Sequence, residues 1–470
     1  MYSKNSVFTI AKSVKLNIHN GVALVSYFDP KSNMVMNYRL TPITALILNF
    51  FDGNNTIDDI VKILKGTINV NEKIAYKTIN KLFHMFPDVI VLANGSKRKK
   101  ISPIELIRGV KKYNGDDISI RKLNYPKELY FDVTTKCNYR CVYCYKASMY
   151  SNKNETEKYL TTNRWQEITA EASSVGCTKV TFMGGDPILN PNLLEYIEVA
   201  AKNELETITS TRSKLEVDYL MKLKDAGLNS LQVSIDSCKA DIVTRLTGLE
   251  NAYDDAVTTI EKSLEIGLDI GIKSVITKYN IEHIPQLIYN MIKKGIKRIA
   301  FNYYSASAGR HNINLYPTIE QIRILDEKMI SIINNCGENI EIDYVFNKTN
   351  DYNKSLEYMV MHRKRCAASR DVLCIKADGT IGFCDQLMFL KEFNVGDLNK
   401  QDLMEIWNSE EIKKLIEPNR EAFKNTDCYQ CNLFERCYPR RCFLRSYLHY
   451  GTPFEKDPWC PYGEANSDII

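Results

Sequence analysis

Residues 129–144 read LYFDVTTKCNYRCVYC, and this stretch decides the fold of the 470-residue chain. Its first half, LYFDVT (129–134), predicts a strand. Three cysteines, Cys137, Cys141 and Cys144, follow that strand directly. In parallel α/β barrels the active site lies at the carboxyl ends of the strands. The cysteines therefore occupy the position expected of an active-site loop.

Five more predicted strands follow, separated by helical stretches. One of these, residues 281–294, carries its apolar side chains on a single face. Repeated strand–helix units predict a parallel sheet or barrel, and six units fall short of the eight in a complete barrel. We therefore expect an α/β fold over residues 128–346, in the form of a partial (β/α)6 TIM barrel. The five strands are KVTFM (179–183), TITS (207–210), LQVSID (231–236), IGIKSVI (270–276) and RIAFNYY (298–304).

Composition excludes several classes of protein. The apolar fraction is 44% and the charged fraction 25%, as in ordinary globular proteins, and the length predicts about two to four domains. No segment approaches the roughly 20 unbroken apolar residues that a membrane span requires. Residues 1–20 lack the apolar core of a secretory signal, which predicts a cytoplasmic protein. A net charge of +5 does not by itself indicate nucleic-acid binding.

The 14 cysteines are unevenly distributed. Residues 1–136 contain none, three lie at 137–144, and eight lie between 366 and 460. In a long chain without a secretory signal, such clusters indicate metal ligation or redox chemistry rather than disulfides. The isolated Cys177, Cys238 and Cys336 are expected to be inert buried thiols, with Cys238 closest to the predicted ligand-binding end.

Three closely spaced thiolates can hold a metal cluster on one side only. Closed iron–sulfur sites normally take four cysteines, whereas an open coordination position is typical of a catalytic metal site. The alternative is a zinc knuckle completed by a distant ligand, although zinc usually favours paired CxxC spacing.

The segment CNYRCVYC resembles the CxxxCxΦC signature of radical S-adenosylmethionine (radical SAM) enzymes, with Tyr143 at the aromatic position. The resemblance implies that the three cysteines hold a [4Fe–4S] cluster whose fourth iron binds S-adenosylmethionine. One electron from the cluster would cleave the sulfonium and give a 5′-deoxyadenosyl radical, which abstracts a substrate hydrogen. The cofactor supplies this chemistry, and the protein supplies position and exclusion of water.

A glycine-rich segment after the second strand resembles the GGEP motif of the same family. In that family the motif binds the methionyl amino group, and glycine allows backbone to approach a ligand closely. An aspartate stands here in place of the family's glutamate, which keeps the backbone and the acceptor. The segment consists of Gly184, Gly185, Asp186 and Pro187.

Further polar residues lie at the ends of the next two strands. Ser234 and Asp236 resemble the family motif that contacts the ribose and the carboxylate of the ligand. Arg245 resembles the arginine that pairs with the carboxylate, a geometry that suits guanidinium. Ser210 and Thr211 are expected to be additional polar contacts.

Residues 347–470 show little periodicity and hold eight cysteines, so metal clusters are expected to supply the order. Spacing alone also allows paired zinc sites. The arrays resemble the SPASM extension of radical SAM peptide-modifying enzymes, which holds two auxiliary [4Fe–4S] clusters. One gap has four residues (YPRR) where the family usually has three. By resemblance, the first auxiliary cluster takes Cys366, Cys374, Cys384 and Cys442, and the second takes Cys428, Cys431, Cys437 and Cys460.

Two features of the first auxiliary site stay open. It either has four protein ligands or keeps one iron open for a substrate thiolate. Asp385 directly follows Cys384, and in sulfatase-maturating relatives an aspartate at this place is proposed as the proton acceptor. The alternative is that Asp385 only caps a loop, as aspartate commonly does.

Residues 1–95 predict strands at 14–18, 22–28, 34–38 and 88–93 and three helices, an order typical of a winged helix-turn-helix. An Asp52-Gly53 turn should end the first helix, and Thr56 with Asp59 should cap the second, which ends near Gly66. The unit resembles the PqqD-like element that binds a leader peptide as an added strand, here beside 34–38 and the helix 71–86. A linker over 96–127 carries the basic run 97–100, which indicates a solvated connector or a phosphate-binding arm.

Together these features predict a radical SAM peptide maturase with three [4Fe–4S] clusters. Its expected partners are a precursor peptide with a leader sequence and an electron donor such as flavodoxin or ferredoxin. The favoured product is a thioether from a Cys sulfur to the Cα or Cβ of another residue, with carbon–carbon cross-linking or Cys/Ser oxidation as alternatives. A nucleic-acid-binding modifier and a non-catalytic iron–sulfur carrier are the competing classes. Neither a membrane nor nucleic acid is an expected partner.

Overall fold

The computed structural model divides into two compact units, residues 1–120 and 121–470. This division falls inside the predicted linker 96–127, and the basic run 97–100 lies outside the described residues. The described residues are 3–11, 14–19, 22–29, 34–40, 42–68, 71–86, 89–95, 122–146, 157–305, 307, 312–336, 340–346, 366–458 and 460.

The described part of the first unit contains two antiparallel sheets and three helices. Its strands are β1 (Val7–Ile10), β2 (Lys15–His19), β3 (Val22–Asp29), β4 (Met34–Leu40), β5 (Asp52–Thr56) and β6 (Ile90–Leu92), and its helices are α1 (Pro42–Asn49), α2 (Ile57–Ile68) and α3 (Glu72–Met85). Strand β1 lies between β5 and β6, and β3 lies between β2 and β4. Helix α1 packs against the second sheet.

Two expectations for this unit need correction. The predicted turn at Asp52 is the start of β5, because β1, which the sequence analysis missed, pairs with it and places Thr9 opposite Asp52. Helix α2 continues past the expected end to Ile68. The capping box is confirmed, since Thr56 Oγ1 accepts a hydrogen bond from the Asp59 amide at 3.1 Å and the Thr56 amide donates to the Asp59 carboxylate at 3.1 Å.

The second unit is built on six parallel strands in sequential order. They are β7 (Glu128–Thr134), β8 (Lys179–Gly184), β9 (Glu206–Thr211), β10 (Ser230–Ser234), β11 (Ile270–Ile276) and β12 (Arg298–Tyr303). Each strand pairs in parallel with the next one along the chain. This arrangement confirms the predicted α/β class and the partial barrel.

Helices cover the outer face of these strands. They are α4 (Thr162–Val175), α5 (Leu193–Lys202), α6 (Val217–Asp225), α7 (Ala240–Thr247), α8 (Ala252–Glu265), α9 (Ile284–Lys293) and α10 (Ile319–Asn335). Phe131 and Phe182 point to this layer and contact Trp165, whose indole N–H donates to the Tyr196 carbonyl at 2.9 Å. Because side chains alternate along a strand, Tyr130 and Asp132 face the opposite, concave side.

The sheet extends beyond the predicted barrel at both edges. Strand β13 (Glu341–Asp343) pairs in parallel with β12, and β14 (Val372–Ile375) pairs in parallel with β7. Strands β15 (Thr380–Gly382) and β16 (Asn394–Asp397) continue the sheet in antiparallel pairs. The barrel and the cysteine-rich segment therefore share one sheet.

The cysteine-rich segment is more regular than its sequence indicates. Besides β14–β16 it contains α11 (Leu403–Trp407), α12 (Glu410–Ile416), α13 (Phe434–Cys437) and α14 (Phe443–Tyr450). Elements of three to eight residues are too short to show a period, which is why the expectation of little regular structure was wrong. The Glu171 carboxylate of α4 accepts the amides of Leu403 and Met404 and so fixes the start of α11 to the barrel.

Within the described part of the chain, no helix has the length and apolar character needed to cross a membrane.

Candidate active site

The loop with Cys137, Cys141 and Cys144 begins where β7 ends, and a carboxylate anchors it there. Glu157 accepts hydrogen bonds from the Thr134 hydroxyl at 2.6 Å, from the Thr135 hydroxyl at 2.9 Å and from the Thr135 amide. Burial raises the pKa of Glu157, but these hydrogen bonds and one from Tyr159 outweigh it and lower the pKa. Sequence reasoning missed Glu157, which lies outside every motif.

The same loop docks on the end of α7. The amides of Arg140 and Val142 donate to the carbonyls of Thr247 and Leu246, each at 2.9 Å. The Arg140 guanidinium donates a hydrogen bond to the Cys137 carbonyl at 2.8 Å. The backbone of the loop is therefore fixed from both sides without using the thiols.

The glycine-rich segment packs against this loop. The Gly185 and Asp186 amides donate to the carbonyls of Thr134 and Lys136, each at 2.7 Å. A Cβ atom on Gly184 would lie 2.3 Å from the Thr134 oxygen, and one on Gly185 would lie 2.1 Å from the Lys136 oxygen. The close approach that glycine permits here is to the protein backbone, and the expected approach to a ligand stays a prediction.

Asp186 is buried behind the cysteine loop at 2% exposure. One carboxylate oxygen accepts hydrogen bonds from Thr211 at 3.0 Å and Ser213 at 2.7 Å, and the other has no partner among the described residues. Burial raises the pKa of Asp186, and these hydrogen bonds, which lower it, offset only part of the rise. The predicted residues Asp186 and Thr211 thus lie together, and Pro187 begins a short 3-10 helix after them.

A second buried group joins the loop to the strand ends. The Asp236 carboxylate accepts hydrogen bonds from the Tyr143 hydroxyl and from the Val275 amide at 2.9 Å, and it forms an ion pair with Arg212 at 2.8 Å. Burial raises the pKa of Tyr143 well above its usual value. Sequence reasoning predicted Tyr143 and Asp236 but missed Arg212, although it directly follows β9 and the predicted Ser210 and Thr211.

The other predicted contacts are divided between two places. Ser210 pairs with Gln232 across β9 and β10, so Ser210 and Ser234 lie on one face of the sheet and are half-buried. Arg245 is exposed on α7, with its guanidinium 3.6 Å from the centre of the Tyr279 ring. Arg245 therefore lies outside the buried group, and its role toward a carboxylate stays a prediction.

Four C-terminal cysteines converge on one cavity of about 220 Å³. The β7–β14 register places Cys374 opposite Tyr130, so both side chains share the concave face. Cys442 is among the four, although its spacing departs from the family pattern. The lining includes Cys366, Cys374, Cys384 and Cys442, together with Tyr130, Asp385 and Phe443.

The chemistry of these thiols fits a bound iron–sulfur cluster. Burial raises the pKa of Cys366, Cys374 and Cys384, and iron would offset this cost because metal coordination deprotonates a thiol. A cubane cluster is held by four cysteine thiolates, which is the number of cysteines that line this cavity.

The remaining cysteines divide into a second group and three isolated residues. Burial, together with the nearby thiols of Cys460 and Cys437, raises the pKa of Cys428 to about 11, so these three lie together. Cys431 follows in the same turn, its amide donating to the Cys428 carbonyl at 3.3 Å. Of the isolated residues, only Cys177 is buried as expected. Cys238, in the loop after β10, and Cys336, at the end of α10, are half-buried.

Asp385 lies between the two cysteine sites. It lines the cavity just described, and burial raises its pKa while the nearby Lys146 and Lys273 ammonium groups lower it. Lys146, two residues beyond Cys144, forms a buried ion pair with Asp132. Asp132 is also close enough to raise the pKa of Asp385. A cluster of four charged side chains therefore occupies the concave face between the sites.

Comparisons with known proteins agree with this geometry. Residues 131–289 match the radical SAM superfamily, and residues 366–432 match the SPASM iron–sulfur cluster-binding domain. The chain is 24% identical over 354 residues to Fe-coproporphyrin III synthase of Methanosarcina barkeri, covering 70% of this chain and 86% of that protein. It is also 24% identical over 357 residues to a PqqA peptide cyclase of Methylobacterium nodulans, covering 73% and 88%.

Similarity to solved structures extends over more of the chain. Streptococcus suis SuiB bound to the precursor peptide SuiA has a TM-score of 0.70 and 18% identity, and the match covers 97% of this chain and 100% of that one. At this identity the similarity concerns the fold.

We expect Gly185→Ala to disrupt the cysteine loop, because the added Cβ would meet backbone atoms of Lys136 at 2.1 Å and 2.6 Å. Overpacking of this kind costs about 1–3 kcal/mol of the free energy of unfolding, and denaturant titration measures the loss. Gly271→Ala is the matched control, since its Cβ would make only ordinary contacts at 3.7 Å. Equal unfolding midpoints for the two variants would show that close packing of Gly185 against Lys136 does not stabilise the cysteine loop.

Proposed function

We propose that this chain, a radical SAM enzyme with a SPASM domain, modifies a ribosomally made precursor peptide. The observation that carries the proposal is that β7 ends in the loop with Cys137, Cys141 and Cys144 and also pairs with β14, which carries Cys374. One strand thus links a radical-generating site to a second cysteine site. Such a pair suits a substrate that loses a hydrogen atom at one site and an electron at the other.

The names of the similar proteins support a peptide substrate. One curated relative is a peptide cyclase, and one solved neighbour holds a precursor peptide. The match to that neighbour spans nearly the whole chain, whereas the curated relatives, including a porphyrin-modifying enzyme, match about 70% of it. A peptide-binding role for the first unit accounts for the added length.

The first unit offers an edge for a leader peptide. Among the residues that the structure describes, β4 is at the edge of its sheet and pairs with β3 alone. An extended peptide can add to such an edge through main-chain hydrogen bonds. We assign residues 1–95 this role as a PqqD-like, winged-helix-like element, with α3 as the predicted neighbour of the added strand.

The cofactors proposed for the chain are S-adenosylmethionine and three [4Fe–4S] clusters. Once bound and reduced, for example by flavodoxin or ferredoxin, they would supply a 5′-deoxyadenosyl radical and an acceptor for one electron. The protein contributes the fixed backbone of the cysteine loop and the polar group around Asp186 and Asp236. It also contributes Asp385 beside the second site.

A thioether is the favoured product. One substrate hydrogen leaves as an atom from carbon, giving 5′-deoxyadenosine. Forming the carbon–sulfur bond from Cys then requires the loss of one proton and one electron, and the auxiliary site is the proposed electron acceptor. The half-buried Asp385 is the candidate for the proton. Carbon–carbon cross-linking and Cys/Ser oxidation need the same hydrogen abstraction and remain the alternatives.

Mass spectrometry of a Cys-containing precursor peptide tests this function. The full chain, reconstituted anaerobically with S-adenosylmethionine and a reductant, should form 5′-deoxyadenosine and a peptide lighter by two hydrogens. The peptide should also lose one thiol that iodoacetamide can alkylate, because a thioether consumes it. The same mass loss with all thiols still reactive would indicate carbon–carbon cross-linking or Ser oxidation instead.

The control for peptide recognition is a precursor whose leader is methylated on backbone nitrogens. Main-chain hydrogen bonds supply affinity in strand addition, so this peptide should bind weakly and stay unmodified. Cleavage of S-adenosylmethionine without peptide should persist. Tight, salt-dependent binding of duplex DNA with no leader affinity would overturn the peptide assignment in favour of the nucleic-acid alternative.

Asp385→Asn should lower product formation by about 10²–10⁴-fold, because it removes a base while keeping size and hydrogen bonding. Iron content and 5′-deoxyadenosine formation should stay near wild type, and both are measured on the same sample. Asp378→Asn is the matched control, since Asp378 is an exposed loop carboxylate in the same domain that caps the Thr380 amide at 2.9 Å. Wild-type yield from Asp385→Asn would show that Asp385 only caps its loop.

A further inference from the structure

Cys141, the middle cysteine of the loop, is bracketed by two tyrosines that bind the same arginine. The Tyr139 hydroxyl donates to the Arg212 carbonyl at 3.1 Å, and Arg212 Nη2 donates to the Tyr143 hydroxyl at 2.6 Å. The Arg212 guanidinium carbon lies 6.0 Å from the centre of the Tyr139 ring. Since Tyr139 and Tyr143 are each two residues from Cys141, this geometry holds Arg212 against the loop on both sides of that cysteine.

Arg212 is a buried permanent cation. Its side chain is 8% exposed, and that of its partner Asp236 is 1% exposed. A guanidinium stays protonated in proteins, so the charge is constant. Nη1 has no hydrogen-bond partner among the described residues, which leaves its two N–H donors available for an acceptor in the loop.

Arg212 and Asp236 act on the cysteine loop with opposite signs. Arg212 contacts the loop through Tyr139 and Tyr143, and Asp236 contacts it through Tyr143. A fixed cation there stabilises negative charge on the loop, and a fixed carboxylate destabilises it.

Asp236 is held from the far side of the pair. Its second carboxylate oxygen accepts the Val275 amide at 2.9 Å, and its carbonyl accepts the side-chain amide of the fully buried Asn280 at 2.7 Å. Both charges thus have fixed positions, and neither is free to move into solvent and be screened. In such a low-dielectric environment a nearby charge acts more strongly than it does in water.

We propose that Arg212 is a positioning residue whose charge raises the reduction potential of the cluster bound by Cys137, Cys141 and Cys144. The Asp236 carboxylate lowers the same potential. This inference rests on the proposed cluster site. Reduction adds one negative charge to the cluster, and a fixed cation against the loop that carries its ligands favours that charge. Cluster potentials respond to net charge and to hydrogen bonds around the sulfurs.

The test is a redox titration of the full-length, reconstituted protein in the absence of S-adenosylmethionine, monitored by electron paramagnetic resonance. The relevant signal is the one absent from the variant with Cys137, Cys141 and Cys144 replaced by Ala. Arg212→Gln should lower its midpoint potential, and Arg212→Lys, which keeps the charge, should restore most of the shift. Lys214→Gln, a loss of an exposed cation in the same loop, should leave it unchanged.

Asp236→Asn should shift the midpoint potential in the opposite direction, because it removes the negative charge beside Arg212 and keeps a hydrogen-bond acceptor. Its midpoint potential should rise. If Arg212→Gln fails to retain iron, the two single variants Asp236→Asn and Arg212→Lys still test the role of the Arg212 charge. An unchanged potential in Arg212→Gln at full iron content, or in Asp236→Asn, would overturn the role of Arg212. If the triple cysteine variant keeps every signal of the wild type, the cluster site itself is wrong.

Discussion

Strand β7 is hydrogen-bonded on both sides, to β8 and to β14, and the rest of the site depends on this double pairing. The β8 side brings the glycine-rich segment against the start of the cysteine loop. The β14 side brings Cys374 opposite Tyr130 and closes the cavity of the first auxiliary group. The two cysteine sites are therefore positioned by backbone hydrogen bonds of one strand, which side-chain changes alter least.

Buried charges fill the space that this pairing creates. Asp132 with Lys146 and Asp236 with Arg212 are ion pairs with almost no exposure. Buried pairs of this kind add little net stability, since desolvation offsets much of their attraction. Because these ion pairs lie between and beside the cysteine sites, we infer that function, rather than stability, explains why charges are desolvated there. In a site that excludes water, fixed charges act on electrons and protons without solvent screening.

The sequence predicted the barrel strands well because each is a short run rich in β-branched or apolar residues, and polar or cysteine residues follow most of them. It also grouped Cys366, Cys374, Cys384 and Cys442, which line one cavity. It missed β1 and β14, whose four-residue lengths show no period and which are ordered by distant partners. It missed Arg212 and Glu157 because their roles come from contacts with other elements, which no local motif encodes.

The most direct measurement of the central claim is the metal content of the anaerobically reconstituted chain. Three cysteine groups that each hold one cubane imply about 12 iron and about 12 sulfide per chain. Replacing Cys137, Cys141 and Cys144 by Ala should remove about a third of both and abolish cleavage of S-adenosylmethionine. Protein that contains mainly zinc, or a triple variant that keeps all its iron, would contradict the account.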